Sequence, residues 1–262
     1  MARWRNPFSR KVDAVSLSEL PPATDYESVV REAMARVKEN PAELETRLDL
    51  ADGYLRLERY RDAVREYGEA SSLDESCVAA WAGMAKSLCY LGNFEGAKPY
   101  LERASGLDAS APSVLVGRGL LAYKDGDLKA ARRDFEAASL ADPGDVDAVF
   151  HLGQVLWEMH RYRECAEAFL RSLALDSANL VALRTLGNCY VALKEPKLAL
   201  EAYQRAAEVD PTIETTHYGV GTLLVQLGRG AEAIEAFERA LAIDPDYREA
   251  WEAIADVRQS SA

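Results

Sequence analysis

Three histidines and four cysteines carry the most specific chemistry in this chain, and their spacing limits what they can do together. A zinc site needs ligands in close pairs, typically two or four residues apart on one helix face or flanking a tight turn. Cys77, Cys89, Cys165 and Cys189 stand 12, 76 and 24 residues apart, with no CxxC pair. His151, His160 and His217 have no second ligand at i+4. The cysteines therefore read as four reduced thiols, and neither a metal nor any cofactor is expected. Nucleophilic and nucleotide chemistry also lack their sequence contexts. No GxxxxGK[ST] loop is present, no GxSxG follows a strand, and no GxGxxG is preceded by one. The abundant carboxylates fall mostly on the polar faces of helices, where they solvate a surface, so no catalytic residue is assigned and the chain reads as a non-enzyme.

The charge balance removes another class. Forty-three acidic and 31 basic residues leave a net charge of −12, the wrong sign for binding a phosphate backbone, so nucleic acid is not an expected partner. No apolar run reaches the roughly 18–20 residues of a membrane span, and residues 1–20 lack the apolar core of a secretory signal. A cytoplasmic location and no integral membrane insertion are expected.

What organises the chain is a repeat. From Leu44 to Tyr247 it falls into six rows of 34 residues without insertion or deletion, starting at Leu44, Val78, Pro112, Val146, Leu180 and Glu214. Three columns are small. Column 8 reads Ala51, Ala85, Gly119, Gly153, Gly187, Gly221; column 20 is Ala in every row but one, where it is Cys165; column 27 is Ala or Ser. Small residues recur where two helices approach so closely that a longer side chain would hold them apart. Column 24 supplies the complementary volume with Tyr67, Leu101, Phe135, Phe169, Tyr203 and Phe237. Column 31 is Asp in all six rows, three times followed by Pro, which marks a turn between units. Gly92, Gly126 and Gly228 at column 15 provide the left-handed residue that ends a helix. Each row is thus a pair of amphipathic helices. Arg118 in an apolar column is expected to snorkel or to pair with an acid, and Pro99 to bend its helix.

The pattern resembles the tetratricopeptide repeat family, through Trp81, Leu186-Gly187, Tyr190, Ala199, Tyr203, Ala206 and Pro211 at the family's spacings. His217 departs from it, standing where a bulky apolar residue is usual. The resemblance covers 204 of 262 residues and implies an all-α fold, a right-handed superhelical solenoid of helix-turn-helix repeats. The expected organisation is a basic N-terminal segment (1–23), an N-terminal packing helix and turn (24–43) opened by the capping box Thr24-Asp-Tyr-Glu27, six repeats (44–247), and a C-terminal capping helix and tail (248–262).

The resemblance also implies that first helices line a concave groove with columns 2, 5, 9, 12 and 13. These columns share one helical stripe. The groove residues so marked are Lys86, Tyr90, Val116, Leu120, Tyr123, Lys124, Phe150, Gln154, Trp157, Arg184, Asn188 and Tyr218. Exposed aromatics flanked by Lys and Arg are the composition of a protein-binding hot spot. The expected function is a scaffold or adaptor that holds another protein's amphipathic helix or extended peptide, with apolar anchors and some acidic residues.

Two alternatives stand beside this one. A self-assembling scaffold would join its acidic cap to the basic segment of another copy, as a homo-oligomer. A co-chaperone-like clamp on a C-terminal carboxylate would use Arg184 and Asn188, but Gly219 and Glu249 replace its other members. The basic segment, with Arg3, Trp4, Arg5, Phe8, Arg10 and Lys11, is a docking element in waiting, and at most a weak peripheral membrane contact.

Overall fold

The computed structural model describes Leu17 and residues 20–260. The described residues form fourteen α-helices and no strand. They alternate in length with the two halves of the repeat. First helices have 13 residues: α2 (Leu44–Arg56), α4 (Val78–Tyr90), α6 (Pro112–Lys124), α8 (Val146–Glu158), α10 (Leu180–Ala192), α12 (Glu214–Gln226) and α14 (Arg248–Ser260). Second helices have 14: α1 (Tyr26–Glu39), α3 (Tyr60–Leu73), α5 (Phe94–Leu107), α7 (Leu128–Ala141), α9 (Tyr162–Leu175), α11 (Pro196–Val209) and α13 (Gly230–Ile243).

Contacts divide the chain into two compact units. One holds residues 24–159, with α1 to α8; the other holds 160–262, with α9 to α14, and takes in Leu17 and residues 20–23 of those described before α1. Within the first, helices of one row pack as hairpins, each row packs on the next, and the first helices α2, α4, α6 and α8 touch in sequence. The second repeats the scheme from α9 to α14.

The small and large columns meet as their sizes require. A Cβ added at Gly119 would come within 2.7 Å of the Phe135 ring, and one at Gly187 within 2.7 Å of the Tyr203 ring. Phe135 and Phe237 are almost completely buried, as are the alanines of columns 8 and 20.

Turn chemistry explains the unbroken aspartate column. Each of these residues ends a second helix, its own N–H bonded to the column-27 carbonyl. The short carboxylate of Asp74, Asp108, Asp142, Asp210 and Asp244 then accepts the backbone N–H two residues on, at 2.8–3.0 Å. Asp does this where Glu is too long and Ala has no acceptor. Column 15 turns out to be left-handed in all six rows: Gly92, Gly126 and Gly228, but also Glu58 (φ 56°), His160 (57°) and Lys194 (60°). The geometry of the turn forces the conformation whether or not a glycine is there.

Two of the three departures from the family pattern find partners, and the third leaves its helix unbroken. Arg118 pairs with Asp134 at 3.2 Å. Helix α5 runs from Phe94 to Leu107 through Pro99 without interruption. His217 bonds the Pro211 carbonyl through Nε2 at 2.9 Å. At the same column the indoles of Trp81 and Trp251 donate to the carbonyls of Glu75 and Pro245, at 2.9 and 3.0 Å. His217 is therefore a substitute donor.

The exposed Lys194 side chain makes column 15 testable. A left-handed L-residue costs roughly 1–2 kcal/mol, and Gly gives back roughly 0.5–1 kcal/mol in chain entropy. Lys194→Gly is expected to stabilise the fold by about 0.5–1 kcal/mol, read as a higher urea midpoint, whereas Gly228→Ala lowers it.

Candidate protein-binding site

The first-helix face of residues 24–159 carries a buried ion cluster. The Asp147 carboxylate, near the start of α8, accepts from Lys86 Nζ on α4 at 2.6 Å and from Arg56 Nη1 at the end of α2 at 2.7 Å. The side chains are 10%, 12% and 25% exposed respectively. Four helices side by side at about 8–10 Å spacing would hold α2 and α8 more than 20 Å apart in a flat layer. Arg and Asp side chains cannot span that. The layer must curve strongly toward this face, which is therefore concave.

Burial alone would push the Asp147 carboxyl up, but the two cations outweigh it and hold it well below the usual carboxylate range. Burial works the same way against Arg56 and Lys86, and Asp147 overrides it and keeps both charged. Beside them, Tyr67 donates to Asp52.

A second network borders the first. Tyr90 Oη and His151 Nε2 lie 2.8 Å apart, and His151 Nδ1 and Gln154 Oε1 lie 2.7 Å apart. Gln154 Oε1 can only accept, so Nδ1 carries the proton and Nε2 accepts from the tyrosine. The imidazole stacks on Phe135 at 5.4 Å and on Tyr90 at 5.6 Å. Its column holds Gly83 and Gly117 in the two preceding rows, where the rings of Tyr67 and the side chain of Leu101 press in. Burial lowers the His151 pKa, with Asp147 opposing, so the ring is held neutral.

Next to this wall opens a cavity of about 720 Å³ lined by Tyr90, Phe94, Leu120, Tyr123, Lys124 and Gln154, among others. Its surface is mainly apolar. Lys124 and Glu158 are exposed members of the lining, and the Lys124 ammonium lies 5.4 Å from the Phe94 ring centre, a cation–π contact. Burial pushes the Cys89 thiol, also in the wall, up to about 11.

Of the residues read as groove contacts, Tyr90, Leu120, Tyr123, Lys124 and Gln154 share this cavity. Phe150 and Trp157 are half-buried, Phe150 edge-on to His151. Two residues are placed otherwise. Val116 is fully buried, because the curvature that draws α4, α6 and α8 together closes over its column. Lys86 is engaged by Asp147 and is no free cation for an acidic ligand.

Arg184, Asn188 and Tyr218 belong to the unit 160–262. There Arg184 donates to Thr215 at 3.2 Å, and Asn188 accepts from Tyr203 at 2.5 Å. Tyr218 packs between the rings of Phe237 and Tyr247, both tilted to it, with ring centres 5.5 and 5.2 Å away. The basic residues Arg3 to Lys11 lie outside the described residues. Leu17, just after them, is buried beside Glu201, Gln204 and Arg205 of α11. Sequence reasoning missed Arg56, Asp147 and His151 as members of one site. Arg56 and Asp147 stand in columns 13 and 2 of the marked stripe, but no single row pairs them, and His151 was marked only as a histidine in a column otherwise small or polar. Among the described residues no group of His, Cys, Asp and Glu could hold a metal, and no helix is long and apolar enough to cross a membrane.

Three tetratricopeptide-repeat models match the chain, one over residues 48–88, 82–146 and 117–179, the others over 181–213 and 214–257. The chain belongs to the tetratricopeptide repeat family. No curated protein sequence matches it. Among solved structures, it is similar to a chain of the APC/C hetero-tetramer Cut9–Hcn1, with TM-score 0.63 and 18% identity over 89% of this chain and 46% of that one. It therefore spans about half the length of that relative. PilF from Pseudomonas aeruginosa gives TM-score 0.63 and 19% identity over 87% of this chain and 99% of that one. MamA gives TM-score 0.55 and 23% identity over 57% and 82%. At these identities the likeness is one of fold.

The ion cluster and the neutral imidazole set the response to acid. Asp147→Ala strands two cations in a poorly hydrated site and is expected to destabilise the chain by about 3 kcal/mol. His151 is held neutral, so the unfolded chain binds the extra proton. The stability this confers is complete above the unfolded pKa of about 6.5 and is lost as pH falls from there toward the lower folded value. Chemical denaturation in that window should show a shallower loss for His151→Gln than for wild type. The Asp147 contribution is lost at lower pH, below the unfolded value of about 4.

Proposed function

We propose that this chain, whose tetratricopeptide repeats form a protein-interaction fold, is a scaffold that holds a partner's amphipathic helix or extended peptide on the concave first-helix face of residues 24–159, anchored in the cavity beside Tyr90 and Tyr123. The observation that carries this reading is the cavity itself. It is an accessible, mainly apolar hollow on a concave face, walled by aromatic rings of which Tyr90 and His151 have their polar ends already tied down. Rings fixed in this way lose little freedom when a ligand arrives.

The electrostatics refine the ligand. Asp147 uses up Lys86 and Arg56, so the deep part of the site favours an uncharged apolar or aromatic anchor. Lys124 and Glu158 at the rim offer one charge of each sign, which favours an acidic residue on one side of the anchor and a basic one on the other. The likeness to a chain of the Cut9–Hcn1 hetero-tetramer, an assembly with another protein, is in keeping with this role.

Peptides selected from a phage-displayed random library on the full chain test it. The proposal expects them to share a large apolar anchor and to lose at least tenfold in affinity, about 1.4 kcal/mol, on Tyr123→Ala. Peptides that bind Tyr123→Ala and Leu120→Ala as tightly as wild type would contradict the cavity as the site.

A further inference from the structure

Column 20 is Ala in every row except the fourth, where it is Cys165. An alanine there keeps two helices close, and a cysteine adds one reactive atom at the point of closest approach. That atom meets another of its kind. In the unit 160–262, Cys165 on α9 and Cys189 on α10 are both fully buried, and their Sγ atoms stand 2.6 Å apart. The two free thiols are in direct contact, with either able to donate to the other, and a covalent S–S pair sits at about 2.05 Å. The two residues are 24 apart in sequence and lie on helices of successive rows that pack directly on each other. Little backbone movement separates the thiol pair from a bond.

We propose that Cys165 and Cys189 form a disulfide site, which closes under oxidation and ties α9 to α10. With oxidised glutathione as oxidant, the balance is two exchange steps. The thiolate of one cysteine attacks a glutathione sulfur, forming a mixed disulfide and releasing one reduced glutathione. The other cysteine then attacks the protein sulfur of that mixed disulfide, forming the S–S bond and releasing the second. Both thiol protons leave to solvent or to the departing thiolates, and the two electrons reside in the reduced glutathione. Neither sulfur is exposed, so the native chain reacts through local opening of α9 and α10 while a refolding chain reacts readily. The mutual contact also holds the Cys165 thiol well above its ordinary pKa, which keeps the closed reduced pair inert.

The bond would close a short loop across two rows and limit the freedom of the unfolded chain. Its effect is therefore a local staple in the unit 160–262, tying α9 to α10, the helix that carries Arg184 and Asn188. The other two cysteines are situated differently, Cys77 at the start of α4 and Cys89 in the cavity wall.

The test is to refold the full chain from urea in a glutathione redox buffer, quench it by alkylation, and digest it without reduction. Arg171 and Arg184 fall between the two cysteines, so trypsin separates their peptides unless a bond joins them. The expected result is a joined Cys165–Cys189 peptide in most of the protein, with Cys77 and Cys89 alkylated. An unfolding temperature raised by several degrees, and reversed by dithiothreitol, should accompany it. Cys165→Ala, which installs the residue of the other five rows, should fold and lose both signals. Four alkylated cysteines in the refolded wild type, a bond to Cys77 or Cys89 instead, or a temperature rise that persists in Cys165→Ala would overturn the assignment.

Discussion

Every row of this chain depends on one steric fit, a large side chain on a second helix (a ring in five rows, Leu101 in the other) set against residues with little or no side chain on a first helix. Where column 8 is glycine, as at Gly119 and Gly187, the Phe135 and Tyr203 rings occupy the place a Cβ would need. The fit fixes the distance between the helices of a pair and their register along each other, since moving either by one residue brings two large side chains face to face. Because the same fit recurs every 34 residues, each hairpin within residues 24–159 presents the same stripe of its first helix on the same side. The concave face is a consequence of this.

On that face of residues 24–159, electrostatics completes what packing begins. A layer of first helices curved tightly enough for α2 to reach α8 brings two cations onto Asp147, where each compensates the cost of burying the other partner. The cluster leaves the adjoining wall to be built of Tyr90, His151 and Gln154, a chain of hydrogen bonds that fixes the rings lining the cavity. The site thus combines a closed set of internal charges with an open apolar hollow, an arrangement suited to an uncharged anchor and a lightly charged rim.

Much of this could be read from the sequence, and the parts that could not share a cause. The small columns, the ring column and the aspartate turn are local features, complete within one row or between neighbours, so six copies of each made them visible. Tyr123 and Lys124, which line the cavity, were marked on the first-helix stripe for the same reason. The pairing of Arg56 with Asp147 spans 91 residues and depends on a curvature summed over several rows, which no single row encodes. That same curvature buries Val116 and takes Lys86 out of play. Column 15 failed as a guide in the opposite direction. Glycine marks a left-handed turn reliably, but Glu58, His160 and Lys194 adopt it under the constraint of the hairpin, so half the turns carried no signal. The indole and imidazole donors of column 4 were hidden because a shared hydrogen bond joins residue types that look unrelated.

The central claim, that partners are held on the concave face of α4, α6 and α8, is tested most directly by hydrogen–deuterium exchange of the full chain with and without a bound peptide. Protection gathered on the peptides containing Tyr90, Tyr123 and Gln154 is the predicted result. Protection confined to the second helices, or to α10 through α14, would contradict it and place the binding surface elsewhere on the chain.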